Sequence, residues 1–514
     1  MKKLVLILFC TFSLVVAAQM SPQSSKITAK YFSDPQIEIN TPAFLKKKGF
    51  TTYDELTTFI KQLQSKHAEV MSISYLGTSQ KGKQVPCIHL LKTNGNANKI
   101  KVWFQGCLHG DEPASTEGLL FLLDRLLNDS SYSYLLDRLD ITMIPVANVD
   151  GSEAQERVAA NGLDLNRDQT KLMAPESIFL KKAFSEFNAE VAVDFHEYQP
   201  FRKDYASFST YGVAALYDVM LMYSGNLNVP ERLRNYTKSC FVDNTVKTLD
   251  KSGLTHHDYF TSDKVLGAVQ ITQGSVSARS SATSYALANT VASLIEVRGG
   301  GLGRTSYKRR VYTTFMVASS YLKTAYENVD SIKSEIKKAV LKPGLDVVVK
   351  SKSPVSKQKL QMIDIETSSE MEIEVNVADA WLSKATLVRP RPTAYFLLPN
   401  QQQLVEKLKL LGLEVEQLKS SSEMDVENYL VTDCQKEVEE TEGVHRQNVT
   451  TITAAVKRTF PTGTFMVYLN QRKANLALEV LEPEAANSFV SFSVLPVEKD
   501  QELPVYRYLL KSDL

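Results

Sequence analysis

Ile100-Lys-Val-Trp-Phe-Gln105 runs through Gly106-Cys-Leu into His109-Gly-Asp-Glu112, and residues 115–127 follow with apolar side chains at helical spacing. The first run reads as a strand, and the 3.6-residue periodicity behind it reads as a helix. His109 and Glu112 therefore lie in the turn from a strand into a helix. In open α/β sheets, ligands bind outside the carboxyl ends of the strands. His and Glu separated by two residues can aim an imidazole nitrogen and a carboxylate at one point. A catalytic zinc commonly takes two His and one carboxylate and keeps a fourth position open. The motif thus predicts a second His, also at a strand end. Val191-Ala-Val-Asp-Phe-His196 supplies one.

Outward from this stretch, strand and helix signals alternate. Strands are expected over residues 101–105, 140–145 and 189–195, and helices over 52–69, 115–127, 175–187 and about 314–340. Thr52 and Glu55 have the spacing of a capping box. The alternation predicts an α/β fold, a mainly parallel mixed sheet covered by helices. Lys342-Pro-Gly-Leu345 breaks the pattern and marks the expected end of a catalytic domain over residues 52–341. Residues 345–390 carry short alternating runs, the mark of a β-rich accessory domain. Pro390-Arg-Pro392 is a second breaker, and residues 391–514 read as an α+β accessory domain. A chain ending near Lys342 is expected to fold, because every ligand candidate precedes it.

The length of 514 residues exceeds what one compact core organises. Hydrophobic content of 43%, charged content of 23% and a net charge of +1 are ordinary for a globular protein. No long basic block is present, so charge gives no argument for nucleic acid or an anionic membrane. Lys2 and Lys3 precede the apolar residues 4–16, and Ala17-Ala18 offers a cleavage site. Residues 1–18 read as a signal peptide, too short for a membrane span, which implies a secreted or periplasmic protein. The short Met-Lys-Lys start is of the bacterial kind. Cys10 has no small residues before it, so no lipoprotein site is read. Residues 19–51 form a lead-in, expected to be extended over 21–42. Cys87, Cys107, Cys240 and Cys434 are too few for a disulfide framework. Cys107 reads as a small buried residue of the strand-end turn rather than as a ligand.

Arg157 and Arg167 flank a Gly-containing turn soon after a strand end. Guanidinium forks match carboxylates bidentately. A hydrolase acting at a free carboxyl terminus needs such a clamp, and a cation near the scissile carbonyl. Glu296 ends the apolar run 291–295 and precedes Arg298-Gly-Gly-Gly-Leu-Gly303. It is either the partner of Arg298 or a general acid/base working on water at a metal. The glycines lack the βαβ spacing of a phosphate loop and read as a tight strand exit. His256 and His257 are adjacent, and adjacent side chains of an extended segment point apart. They suit a substrate-facing loop better than a metal. His67 and His89 read as structural, and His445 as a surface residue.

Taken together, His109-Gly-Asp-Glu112, Asp164-Leu-Asn-Arg167, Asp194-Phe-His196 and Leu294-Ile-Glu296 resemble the zinc carboxypeptidase family, the carboxypeptidase A-like metallopeptidases. Tyr53-Asp-Glu55 and Gly77-Thr-Ser-Gln-Lys-Gly-Lys83 resemble that family's opening, and the likeness runs over residues 52–327 in family order. The resemblance implies one zinc per chain, held by His109, Glu112 and His196. It implies that Arg157 polarises the scissile carbonyl, that Asn166 and Arg167 hold the terminal carboxylate of a peptide, and that Glu296 is the general acid/base. The family's covering tyrosine has no counterpart at the usual spacing; Tyr285 and Tyr259 are the candidates. The specificity position falls near Arg279–Ser281. The C-terminal region resembles accessory domains of some bacterial secreted members. A secreted carboxypeptidase is the first reading. An N-acyl amino acid deacylase of the related zinc amidohydrolases shares the same motifs, and a non-catalytic member binding peptide or glycan ends is the third reading.

Overall fold

The structure, a computed structural model, describes residues 23–93, 98–341 and 346–510. The expected signal peptide and the breaker at 342–345 lie outside the described residues. An eight-stranded sheet holds the centre. Its order is Met71–Thr78, Gln84–Leu90, Leu139–Ile144, Ile100–Gly106, Val191–Tyr198, Val291–Arg298, Val219–Tyr223 and His256–Asp258. The four strands from Leu139–Ile144 to Val291–Arg298 run parallel, and antiparallel pairing attaches the strands on either side. The fold is the expected α/β class with a mixed sheet.

All eight residues of Val191–Tyr198 are buried. Successive side chains of a strand point to opposite faces, so both faces are covered. Helices do the covering. Pro113–Asn128 and Tyr307–Glu327 pack so closely that a Cβ on Gly118 would lie 2.4 Å from the Thr314 side chain. Phe121 meets Phe315 beside that crossing. Phe184 of the helix Pro175–Phe187 packs against Trp103 and Tyr285. The helix Tyr53–Lys66 starts at the expected capping box: Thr52 accepts from the Glu55 N–H, and the Glu55 carboxylate accepts from the Thr52 N–H at 2.8 Å.

Several expectations are corrected. The lead-in is not extended throughout. Ser24 caps a short helix, Ser25–Tyr31, which buries Ile27, with Phe32 just beyond it, against Ile363. The helical stretch expected from about 314 to 340 starts earlier and consists of two helices, Tyr307–Glu327 and Val329–Leu341, divided at Asn328.

The boundary near 345 does not divide the packing. Val355–Asp364 and Glu370–Asp379 join Val213–Ala215, Ala268–Gln273 and Phe260–Val265 in one five-stranded sheet. Their alternation was readable, but their partners lie some hundred residues upstream, and periodicity says nothing of pairing at that distance. Leu360, Met362, Ile373, Val375 and Val377 share a core with Tyr198, Tyr205, Met220, Phe260 and Ile271. Further on, a six-stranded sheet contains the long hairpin of Ser422–Thr441 and Val444–Phe460. The helix Ala474–Leu481 is buried along its whole length, next to the helix Ser281–Leu287.

This packing reverses the expectation for a shortened chain. Burying one Leu, Ile, Val or Met side chain is worth about 1.5–3 kcal/mol. Five of them together rival a whole domain's stability of about 5–15 kcal/mol. A chain truncated after Leu341 should therefore be insoluble or lose its cooperative melt. Soluble yield and a thermal melt measure this; a soluble truncated chain with a sharp transition would show that the five-stranded sheet is dispensable.

Candidate active site

The strand Ile100–Gly106 ends in a tied turn. Cys107 takes a left-handed φ of 52°, and its N–H donates to Ser115 Oγ at 2.8 Å. That hydroxyl donates to the Glu112 carbonyl at 2.7 Å, and Pro113 opens the next helix. Glu112 thus stands at a helix N-terminus, where the dipole favours a carboxylate. Gly110 passes against Gly151, where a Cβ would lie 2.0 Å from the backbone. His196 lies near the end of its own strand, two residues after Asp194 and on the same face. Parallel register sets Glu296 directly opposite His196.

His109, Glu112 and His196 converge, with ligand atoms all within 4.8 Å of one another. His109 Nδ1 is 2.7 Å from Glu112 Oε1, His196 Nδ1 is 2.8 Å from Glu112 Oε2, and the two Nδ1 atoms are 3.0 Å apart. Each outer nitrogen meets a carboxylate: His196 Nε2 lies 2.9 Å from Asp194, and His109 Nε2 lies 3.1 Å from Asp164. With each Nε2–H donating outward, both Nδ1 atoms present lone pairs to the Glu112 oxygens. With neutral imidazoles, acceptors then face acceptors in a buried volume, an arrangement that a metal ion, or protons on the rings, satisfies. Carboxylates behind ligating imidazoles fix ring orientation and tautomer, as at catalytic zinc sites. The donor set of two nitrogens and one carboxylate fits zinc.

Burial pushes the Glu112 carboxyl up, but the two imidazoles outweigh it and hold it well below the ordinary carboxylate range. Glu296 goes the other way. Burial pushes its carboxyl up to about 7; His196 opposes, and the Glu112 charge adds to the rise. Arg157 donates through Nε and Nη2 to Asp164 at 3.1 and 3.0 Å, and its Nη1 stands 3.8 Å from Glu112. Asn166 is buried; its Oδ1 accepts from the Ser281 N–H at 2.8 Å, and its Nδ2 is 3.5 Å from His196 Nε2. Arg167 donates to the Asn166 carbonyl at 3.0 Å, and among the described residues no carboxylate pairs with it. Two cavities, of about 350 and about 210 Å³, share Arg157, Arg167, Tyr259 and Glu296 as walls. The smaller also touches His109, Asn166 and Arg279.

All seven expected residues thus meet at one place. Of the two tyrosine candidates, Tyr285 is core: it stacks on Phe184 and donates to Gln105 at 3.2 Å. Tyr259 lines both cavities, and burial, with the charge of Glu296 adding to it, pushes its phenol up to about 12. Glu296 has no ion pair with Arg298, which turns away to Gln23 and the Ala215 carbonyl. His256 and His257 occupy an edge strand rather than a loop; His256 bonds Asp250, and His257 packs on Tyr217. Cys107 is buried, and burial pushes its thiol up to about 12. The described cysteines are free.

Sequence reading missed three supporting carboxylates. Asp194 was findable, since residue i−2 of a strand shares the face of His196. Asp164 stands in a loop and gave no such signal. Glu197 accepts from the Ala114 N–H at 2.8 Å and from Arg310 at 2.8 and 2.5 Å. It explains Gly299: a Cβ there would lie 1.7 Å from its Oε1.

The sequence pattern that defines zinc carboxypeptidases matches residues 56–328, more than half of the chain. The chain belongs to the zinc carboxypeptidase family. As a member it is a hydrolase acting on peptide bonds, and zinc is its implied metal. The chain is 29% identical over 439 residues to carboxypeptidase 2 of Trichophyton rubrum, covering 84% of this chain and 81% of the relative. A probable carboxypeptidase 2 of Arthroderma benhamiae is 28% identical over 418 residues, covering 79% of this chain and 78% of that one. Both alignments are too long to stop at residue 341. Carboxypeptidase A of Helicoverpa armigera superposes with a TM-score of 0.41 at 17% identity, covering 55% of this chain and 78% of that one. No helix among the described residues is long and apolar enough to cross a membrane.

The geometry predicts graded metal loss. His109→Ala, Glu112→Ala and His196→Ala should each abolish zinc binding, since each removes one of three ligands. Asp194→Asn and Asp164→Asn should weaken it roughly 10- to 100-fold by freeing a ring. Competition against a chelator measures both. Unaltered affinity in Asp194→Asn would mean the strand alone fixes His196.

Proposed function

We propose that this protein removes C-terminal residues from peptides with a free carboxylate, outside the cytoplasm. The observation that carries the reading is a single cavity lined by His109, Glu296, Asn166 and Arg167, the last with no described carboxylate as partner. A terminal carboxylate fits the Arg167 fork bidentately. The scissile carbonyl, which belongs to the residue before the last, then falls toward His109, Glu112 and His196. Zinc held by these three would polarise the carbonyl and acidify water.

Glu296 takes the proton from the attacking water and passes it to the leaving amine. Burial makes it a stronger base than an exposed carboxylate and leaves it able to release the proton again. Arg157, braced by Asp164, faces the same space and stabilises the negative charge that develops on the carbonyl oxygen. Export is supported by the N-terminal pattern of two lysines, an apolar run and small residues alone.

Glu296→Gln should keep zinc and substrate affinity while kcat falls by about 10²–10⁴-fold. Near-normal turnover by this variant would sink the mechanism. Arg167→Ala should weaken hydrolysis of free-acid peptides and barely change that of amidated ones. Equal losses on both would make Arg167 structural and remove the exopeptidase assignment. Parallel assays on N-acyl amino acids separate the deacylase reading.

The pH profile follows from Glu296. Only its ionised form accepts a proton, so kcat/KM should fall as pH drops through its pKa, about tenfold per unit. Burial pushes its carboxyl up to about 7 against the opposing charge of His196, and a bound dication would lower it. The acid limb should therefore have its midpoint at or below about 7. A profile with no acid limb between pH 4 and about 7 would show that another group is the base.

A further inference from the structure

The tip of the long C-terminal hairpin reaches the active-site cavity. Ser422–Thr441 and Val444–Phe460 are joined by only Glu442 and Gly443, with φ values of 55° and 78°. A two-residue turn with both φ positive suits Asn-Gly or Gly-Gly. A glutamate at its first position is disfavoured, so its side chain calls for a reason. Glu442 Oε1 pairs with Arg279, and Oε2 accepts from Lys171 Nζ at 2.6 Å. Phe492, also from the C-terminal region, offers its ring to Lys171, Arg279 and Arg446 at 4.6, 5.8 and 4.8 Å. The tip abuts the loop that carries Asp164: a Cβ on Gly443 would lie 3.3 Å from Leu163 Cδ2.

Arg279 is a wall of the same 210 Å³ cavity that holds Asn166, Arg167 and Glu296. The rest of that cavity away from the chemistry is uncharged, with Met222, Thr261, Thr272, Ser275 and Leu294 among its walls. Its three arginines have distinct commitments. Arg157 is held by Asp164, Arg167 is open to a carboxylate, and Arg279 is engaged from outside by Glu442, which it shares with Lys171. Remove that pairing, and the side-chain space gains a guanidinium free to meet an acidic residue.

We propose that Glu442, carried in by the C-terminal hairpin, is a specificity-determining residue that holds Arg279 in an ion pair, denies that guanidinium to an acidic side chain and so selects peptides ending in uncharged residues. This rests on the carboxypeptidase reading above, which places the terminal residue in that cavity. Specificity of this kind is a difference between two substrates, set as much by the contact that is denied as by the contacts that are made. The C-terminal region then takes part in substrate selection as well as in packing.

The test uses the full chain and two peptides differing only in a C-terminal Leu or Glu, each as free acid and as amide. The readout is the ratio of kcat/KM for Glu over Leu. Glu442→Gln should raise it at least tenfold, and Glu442→Gln with Arg279→Met should return it to the wild-type value or lower. Lys171 is buried and loses its partner in Glu442→Gln, which can cost folding. Arg279→Met alone keeps the Lys171–Glu442 pair and leaves the Glu442 charge less compensated, so it should lower the ratio at least fivefold. A folded Glu442→Gln with the wild-type ratio, or an unchanged ratio in Arg279→Met, overturns the proposal. Equal cleavage of acid and amide by the wild type instead defeats the carboxypeptidase reading, whichever way the ratio moves.

Discussion

Two imidazole nitrogens and two carboxylate oxygens crowd a buried volume, with the outer imidazole nitrogens turned to Asp194 and Asp164. Such a cluster is costly to assemble unless positive charge, from a metal ion or from protons on the imidazoles, sits among its carboxylates, because a buried uncompensated charge carries a desolvation penalty. The surrounding architecture supplies the rigidity that holds it together. Glu112 rides on a helix start tied to the Ile100–Gly106 strand by Ser115, and His196 is locked in a strand whose residues are all buried. In the neighbouring strand, Val297 is buried in the core on one face, and alternation puts Glu296 and Arg298 together on the other. Gln23 and the Ala215 carbonyl draw Arg298 away, which leaves the Glu296 carboxylate to the site.

The register of two parallel strands then does what sequence spacing cannot. His196 and Glu296 are a hundred residues apart in the chain and opposite each other in the sheet. The proximity raises a question of charge: two carboxylates, Glu112 and Glu296, share one site. They are kept apart electrically. Imidazoles surround Glu112 and keep it ionised, whereas burial dominates at Glu296 and favours its protonated form. Pairs of titratable groups pushed in opposite directions are the signature of divided acid/base roles.

Much of this was legible in the sequence, and the reason is local. His109 to Glu112 is a short-range motif, and the strands and helices around it obey simple periodicities. Arg157, Asn166 and Arg167 sit within one loop, so their chemistry could be read together. The illegible parts are long-range. The alternation of residues 371–377 announced a strand, but not that it would pair in parallel with Ala268–Gln273. The helix Ser25–Tyr31 hid in a polar stretch because only Ile27 is buried on it. Tyr259 could not be assigned by spacing, since the strands Phe260–Val265 and Ala268–Gln273 that follow it belong to a sheet completed from beyond residue 345.

That completion changes how the C-terminal region is to be understood. An appended domain touches its neighbour through a separable surface, and relative motion is the default. Here the attachment is a shared sheet and a shared core at one end. At the other end, the buried helix Ala474–Leu481 and the Glu442 tip press on the walls of the catalytic region. Lys171 has almost no exposed surface, and its charge is met by a carboxylate from 271 residues later in the chain. A buried ammonium without that partner would be strongly destabilising. The catalytic region thus carries charges whose compensation is built only when the rest of the chain has folded onto it, which makes correct closure of the active-site wall a consequence of completing the fold.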